Sequence, residues 1–308
     1  MAHSVHPTRR RAALAAAAAL ALVITACGDD SDDPSSSDTT VTTTTVATTT
    51  TEALASLPPG VPGQLMFSSF DERSHDFRGT YISAPDGSEL HELTLPGPEG
   101  GGGWSHDGQH IAVMTIRDDD RVGTAIITPD GTVERVLDIP DPTLNLVCAT
   151  WSPDDTRLAC EGFNDSDLSQ RGIYSVLAAD GSDLQRLTTS PEGLVDFPGG
   201  YSPDGTQFVF LRTEDEEEGT LMVVDVAGGE PRTLIDTPVE DSGAFSPDGT
   251  QVLTAGGDAI LVLDLDGTVV HEIRRPGRSM FGAAWSPDGQ WIAFSSGLSG
   301  SRSADIFI

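Results

Sequence analysis

The chain has no lysine: its 17 cations are all arginine, set against 48 aspartates and glutamates, for a formal charge of −31 over 308 residues. Without lysine there is no phosphate-cradling P-loop, no Schiff-base chemistry and no Ser-Lys catalysis. The acid excess repels nucleic-acid phosphates and anionic lipid headgroups, so nucleic acid is excluded as a partner and a membrane can hold the protein only through an anchor. Long hydrophobic runs are also lacking. The longest, residues 12–24, has thirteen residues, whereas a bilayer-spanning helix needs ~20. A Gly-x-Ser-x-Gly elbow is missing too, Gly297-Leu-Ser-Gly-Ser being the nearest approach, and no hydrolase triad is visible. The glycine run Gly100 to Gly103 lacks dinucleotide-binding spacing and leads into a strand, so it reads as a connection.

What the first residues do contain is an export signal. Arg9, Arg10 and Arg11 precede the short apolar run, as in a signal peptide. The run ends in Leu22-Val-Ile-Thr-Ala-Cys27, which resembles a bacterial lipobox, with Ile24 three places before the cysteine and small residues directly before it. Cys27 is therefore expected to become the lipidated N-terminus of a protein anchored to the outer face of the cytoplasmic membrane. Thr8-Arg9-Arg10 leaves the twin-arginine and general secretory routes both open. Ten of the thirteen residues from Thr39 to Thr51 are threonine, a tract too polar to bury a core and expected to be disordered. Residues 1–26 are thus read as a lipoprotein signal peptide, 27–62 as a disordered Thr-rich tether and 63–308 as the folded domain.

Within that domain five segments repeat: Trp104-Ser-His-Asp-Gly, Trp151-Ser-Pro-Asp-Asp, Tyr201-Ser-Pro-Asp-Gly, Phe245-Ser-Pro-Asp-Gly and Trp285-Ser-Pro-Asp-Gly. Their aromatics are 47, 50, 44 and 40 residues apart. A period of this length without helical patterning predicts an all-β propeller of about four strands per blade. Proline presets the turn, aspartate tolerates its third position and glycine takes the positive φ that follows, so each motif joins strand a to strand b of a meander. A second punctuation, Pro85-Asp-Gly, Pro129-Asp-Gly, Ala179-Asp-Gly, Ala227-Gly-Gly and Asp266-Gly267, joins c to d. The N-terminal run supplies only b, c and d, and the C-terminal run only a, b and c. Four whole blades and two partial ones predict six blades in a chain truncated at its C-terminus.

The motifs resemble those of the TolB-like propellers, in Trp285-Ser-Pro-Asp-Gly-Gln-Trp-Ile-Ala-Phe and Gly181-Ser-Asp-Leu-Gln-Arg-Leu-Thr188 above all. The resemblance implies a six-bladed propeller. It extends to the propeller of dipeptidyl peptidase IV-type serine peptidases, so two functions stand beside each other: a non-catalytic scaffold binding a protein or cell-envelope ligand, or the N-terminal propeller of a peptidase whose catalytic domain lies beyond residue 308. A propeller lyase or glycan-active enzyme is the weaker third, since too few histidines fall in strands. A monomer is expected, without a cofactor.

His106 and His110 are four apart but flank a turn, which leaves them without the helical setting a metal motif needs. The turn aspartates Asp107, Asp154, Asp204, Asp248 and Asp288 are expected to bond backbone. Two acid runs, Asp118-Asp119-Asp120 and Glu214-Asp215-Glu216-Glu217-Glu218, fall in b-to-c loops. These loops vary from blade to blade while the a-to-b turns are stereotyped, so the loop face is the expected binding face, for a cationic partner or Ca²⁺. Cys148 and Cys160 are equidistant from Asp154. With Ser152 opposite Thr156 they face each other across a hairpin, as a disulfide or as two buried thiols.

Overall fold

The computed structural model describes residues 61–70, 77–97, 102–214, 218–298 and 304–308. The signal peptide, Cys27, the tether to residue 60, and Asp215, Glu216 and Glu217 lie outside the described residues.

The described residues form six antiparallel meanders. The first holds β1 (Leu65–Phe70), β2 (Phe77–Ser83) and β3 (His91–Leu93). The second holds β4 (Gly102–Trp104), β5 (Ile111–Ile116), β6 (Val122–Ile127) and β7 (Val133–Val136). In the third are β8 (Asn145–Trp151), β9 (Arg157–Phe163), β10 (Gly172–Leu177) and β11 (Gln185–Arg186). The fourth comprises β12 (Val195–Tyr201), β13 (Gln207–Thr213), β14 (Gly219–Asp225) and β15 (Arg232–Val239). The fifth comprises β16 (Ala244–Phe245), β17 (Gln251–Gly256), β18 (Ala259–Asp264) and β19 (Val269–Arg274), and the sixth β20 (Arg278–Trp285), β21 (Ile292–Leu298) and β22 (Ala304–Phe307). Among the described residues one 3-10 turn, Leu168–Gln170, interrupts the strands.

Strand side chains alternate between faces, so a strand buried on both sides feeds two interfaces. That explains the unbroken apolar runs. Phe208 and Phe210 pack toward Ala159 and Ile173 of the third sheet, whereas Val209 and Leu211 pack toward Val252 and Leu261 of the fifth. The same division recurs round the molecule. Met66 and Ile82 meet Ile111 and Ile127; Ala112 and Ile126 meet Leu146 and Leu158; Leu253 and Ile260 meet Met280 and Phe294. Finally Leu65 and Phe67 of the first sheet pack on Ala293 and Ile306 of the sixth, which closes the ring. Six sheets share six cores, and the fold is a six-bladed propeller.

Each a-to-b turn repeats one network. In the fifth blade Ser246 Oγ donates to Asp248 Oδ1 at 2.7 Å and accepts the Gln251 N–H at 3.0 Å, while Asp248 Oδ1 also accepts the Thr250 N–H at 3.0 Å. The Gly249 N–H closes the turn on the Ser246 carbonyl, and Gly249 takes a φ of 72° that a glycine adopts without strain.

The third blade departs from the expected register. Ser152 pairs with Arg157, its N–H reaching the Arg157 carbonyl at 2.9 Å, because Asp154 draws both the hydroxyl and the N–H of Thr156 into the turn. A bulge at Ala149 then shifts β8 by one residue and restores Cys148 opposite Cys160. Their Cα atoms are 3.9 Å apart, as in the close, non-hydrogen-bonded type of pair, and the two sulfurs are bonded. The Cys148 N–H goes instead to Thr124 Oγ1 of the neighbouring blade, at 2.9 Å.

Candidate functional site

The meander sends the a-to-b and c-to-d turns to one face and the b-to-c loops to the other. On the turn face the axis opens into a funnel of about 980 Å³, ringed by Trp104, Trp151, Tyr201, Phe245 and Trp285 with the prolines that follow four of them. Its floor is narrow. A Cβ on Gly103 would lie 1.5 Å from the Ala149 carbonyl oxygen, and one on Gly199 2.1 Å from that of Ser242, so neighbouring inner strands meet backbone to backbone. This cavity was not legible in the repeat, whose uniform turns offered nothing individual.

Most polar groups around the funnel are engaged in architecture. The five turn aspartates are each held below the ordinary carboxylate range, first by the serine hydroxyl two residues before. Trp151 Nε1 donates to the Gly103 carbonyl of the preceding blade at 2.8 Å. His106 and Asp155, the two departures from the Pro and Gly of the repeat, meet each other. Asp155 Oδ1 accepts from the His106 N–H at 2.8 Å and lies 3.0 Å from His106 Nδ1, while Asp155 Oδ2 accepts the Asp107 N–H at 3.0 Å. His110 turns away, with Nε2 3.2 Å from Glu134. Among the described residues no group of three or more His, Cys, Asp or Glu side chains converges to hold a metal ion.

The loop face carries the acid runs on separate blades. Asp118, Asp119 and Asp120 connect β5 to β6 in the second, where Asp119 pairs with Arg117 at 2.8 Å and approaches Arg121 at 3.9 Å. Glu214 and Glu218 flank the β13 to β14 connection in the fourth and line a cavity of about 740 Å³ with Arg212, Thr213, Thr220 and Thr233. Beneath it Arg212 is gripped by the fully buried Asp196, Nε to Oδ1 at 2.7 Å and Nη2 to Oδ2 at 2.8 Å, and Asp196 also accepts from the Thr188 hydroxyl. A bidentate pair of this kind fixes the cation in place. The Arg212 and Asp196 pairing had no signal in the sequence, because it joins two strands across sixteen residues. Asp241, in the crossing from β15 to β16, was missed for the same reason. It retains some accessible area but is closely surrounded, and burial pushes its carboxyl up to about 6 even though Oδ2 accepts the Ala283 N–H at 3.0 Å.

No family model matches the chain. A curated relative, the uncharacterized peptidase YuxL of Bacillus subtilis (strain 168), is 31% identical over 171 residues, 51% of this chain. The match spans only 23% of that protein's length. Among solved structures, TolB from Acinetobacter baumannii aligns with a TM-score of 0.57 at 17% identity, covering 80% of this chain and 67% of that one. The putative TolB from Agrobacterium tumefaciens aligns at 0.53 with 21% identity, covering 75% and 83%. Identities this low speak to architecture, and with the six-sheet ring they establish it: the chain has the fold of a TolB-like six-bladed β-propeller.

Proposed function

We propose that this propeller is a non-catalytic binding module, exported, held at the outer face of the cytoplasmic membrane by lipid on Cys27, and engaging a cationic protein partner on its loop face. One observation carries the reading: the cavity on that face has carboxylates at its rim, Glu214 and Glu218, above an arginine already neutralised by Asp196. A cation entering there meets net negative charge on a rigid support. Asp118 and Asp120, on a second loop of the same face, add to that field.

The reading is tested by titrating the protein with an arginine-rich peptide. Replacing Asp118, Asp119 and Asp120 by asparagine and Glu214 and Glu218 by glutamine is expected to weaken binding at least about tenfold, since exposed charges contribute some tenths of a kcal/mol each. Raising salt should do the same. Unchanged affinity sinks it. For the anchor, the wild-type protein should partition into detergent and Cys27→Ser should not.

A second reading, the propeller of a serine peptidase, is supported by the similarity to YuxL, a protein named as a peptidase. Labelling by a fluorophosphonate probe of the protein recovered from its native source would favour it over the binding module.

A further inference from the structure

The outermost strand of a blade leaves one edge of its sheet unpaired, and such an edge is a template for another strand unless something blunts it. Most of the outer strands here are blunted. β11 has two residues and β3 three; β7 has four and a shift of register; β15 carries Pro238 and two shifts. β19 is the exception. It has six residues and no proline, and it pairs regularly with β18 from His271 to Arg274. Its blade already holds four strands, and a strand added to the sixth sheet would pair with β22, so the edge of β19 is free on either count.

The groups along this edge follow from the ladder. The Arg275 N–H donates to the Asp258 carbonyl at 3.0 Å, so in the two-residue alternation Ile273 and His271 also bond to β18. The N–H and carbonyl of Glu272 and Arg274 therefore face outward. The side chains of Glu272, Ile273 and Arg274 are all exposed. Arg274 Nη2 lies 2.6 Å from Glu272 Oε1, and its Nη1 lies 2.6 Å from Asp258 Oδ1. Charges on an edge ordinarily repel an added strand, but acid, apolar, base is an order that complements itself. When two copies run antiparallel about Ile273, each Glu272 opposes an Arg274 and Ile273 opposes Ile273. The outward backbone groups then fall at hydrogen-bonded pairs, and Ile273 falls at the close pair between them. Registers centred on Glu272 or on Arg274 keep the same backbone alternation but set like charges against each other, which is destabilising. His271 would oppose Arg275, whose guanidinium is turned away onto the Phe307 ring, 3.8 Å from its centroid.

We propose that β19 is the seat of a two-fold dimer, in place of the monomer expected from the sequence: the edges of two copies pair antiparallel about Ile273, and two blades become one continuous sheet. Each Glu272 carboxylate then lies between two guanidiniums, one from its own strand and one from the second copy. The pairing inverts one ring relative to the other and leaves both acid loop faces uncovered, so it stands or falls independently of the cationic-partner reading.

The test uses the full chain in the membranes of an expressing bacterium, with mild oxidation and non-reducing electrophoresis. Ile273→Cys should give a covalent dimer, because that residue meets its own copy at a close pair with Cα atoms about 4.5 Å apart, within reach of a disulfide. Glu272→Cys and Arg274→Cys, which do not meet themselves, should give several-fold less. In the Ile273→Cys background, Glu272→Arg or Arg274→Glu should each lower the dimer at least about tenfold, since two opposed pairs become repulsive. Coexpressing those two variants should restore it, because every opposed pair is again of opposite sign, and restoration shows that both fold. No cross-link from Ile273→Cys, equal cross-linking at the three positions, indifference to the charge reversals, or failure of the coexpressed pair to recover would each overturn the proposal.

Discussion

At position 155 aspartate stands where the other turn motifs have glycine, and it does so at a φ of 56°, in the left-handed region that Asp tolerates better than most side chains. Its carboxylate compensates by capping the turn of the preceding blade, where His106 supplies the backbone N–H that the repeat's proline lacks. The two departures are one exchange, a glycine-on-proline contact for a set of hydrogen bonds. His106→Pro and Asp155→Gly should each lower stability by about 1 kcal/mol, while the double variant recovers most of the loss. Additive losses in denaturant unfolding would contradict that. Asp241 makes a different prediction. Its carboxyl rises on folding from 3.8 to about 6, burial first among the causes, so the native state holds the proton more tightly than the unfolded chain. Its contribution is complete below pH 4 and is lost as pH rises through about 6. The turn aspartates run the other way: lowered in the native state, they stabilise above the ordinary carboxylate range and lose that contribution as pH falls. Asp241→Asn should therefore abolish the decline between pH 4 and 6 and raise stability at pH 7 by up to about 3 kcal/mol. A Tm that follows pH identically in both proteins would refute this.

At the scale of the hairpin, the third blade is stapled as well as paired. The bond between Cys148 and Cys160 closes a loop with a sequence separation of 12, for which chain entropy predicts about 3 kcal/mol. Replacing both cysteines by alanine should cost about that much without changing the far-ultraviolet spectrum, and mass spectrometry of the denatured, unreduced protein should find no free thiol at either position. Two free thiols would remove the staple from the account. The facing of the two cysteines was legible from their spacing about Asp154, although the register was not. A turn one residue longer and a bulge at Ala149 offset each other, and neither leaves a mark in residue types. Strand order and blade count were legible because Ser-Pro-Asp-Gly and Asp-Gly chemistry is local. The Asp196 and Arg212 pair and the funnel arise from non-local packing, where an aspartate in a strand or an alanine before an aromatic looks ordinary.

For the whole molecule, packing of Leu65 and Phe67 on Ala293 and Ile306 completes the ring, and the meander topology gives it two unlike faces. One is built of turns whose serines and aspartates bond each other, around a funnel lined by aromatics and proline. The opposite face is built of loops that differ in every blade, with carboxylates at the rim of a cavity. The binding reading assigns the cationic partner to the loop face, and carboxylate footprinting tests that assignment directly. The protein is labelled by carbodiimide coupling with and without a bound arginine-rich peptide, and the modified positions are read by mass spectrometry. Asp118, Asp120, Glu214 and Glu218 should be protected by the peptide while Asp107, Asp204, Asp248 and Asp288 label equally in both samples. Protection confined to the four turn aspartates, with the acid loops labelled as before, would contradict it.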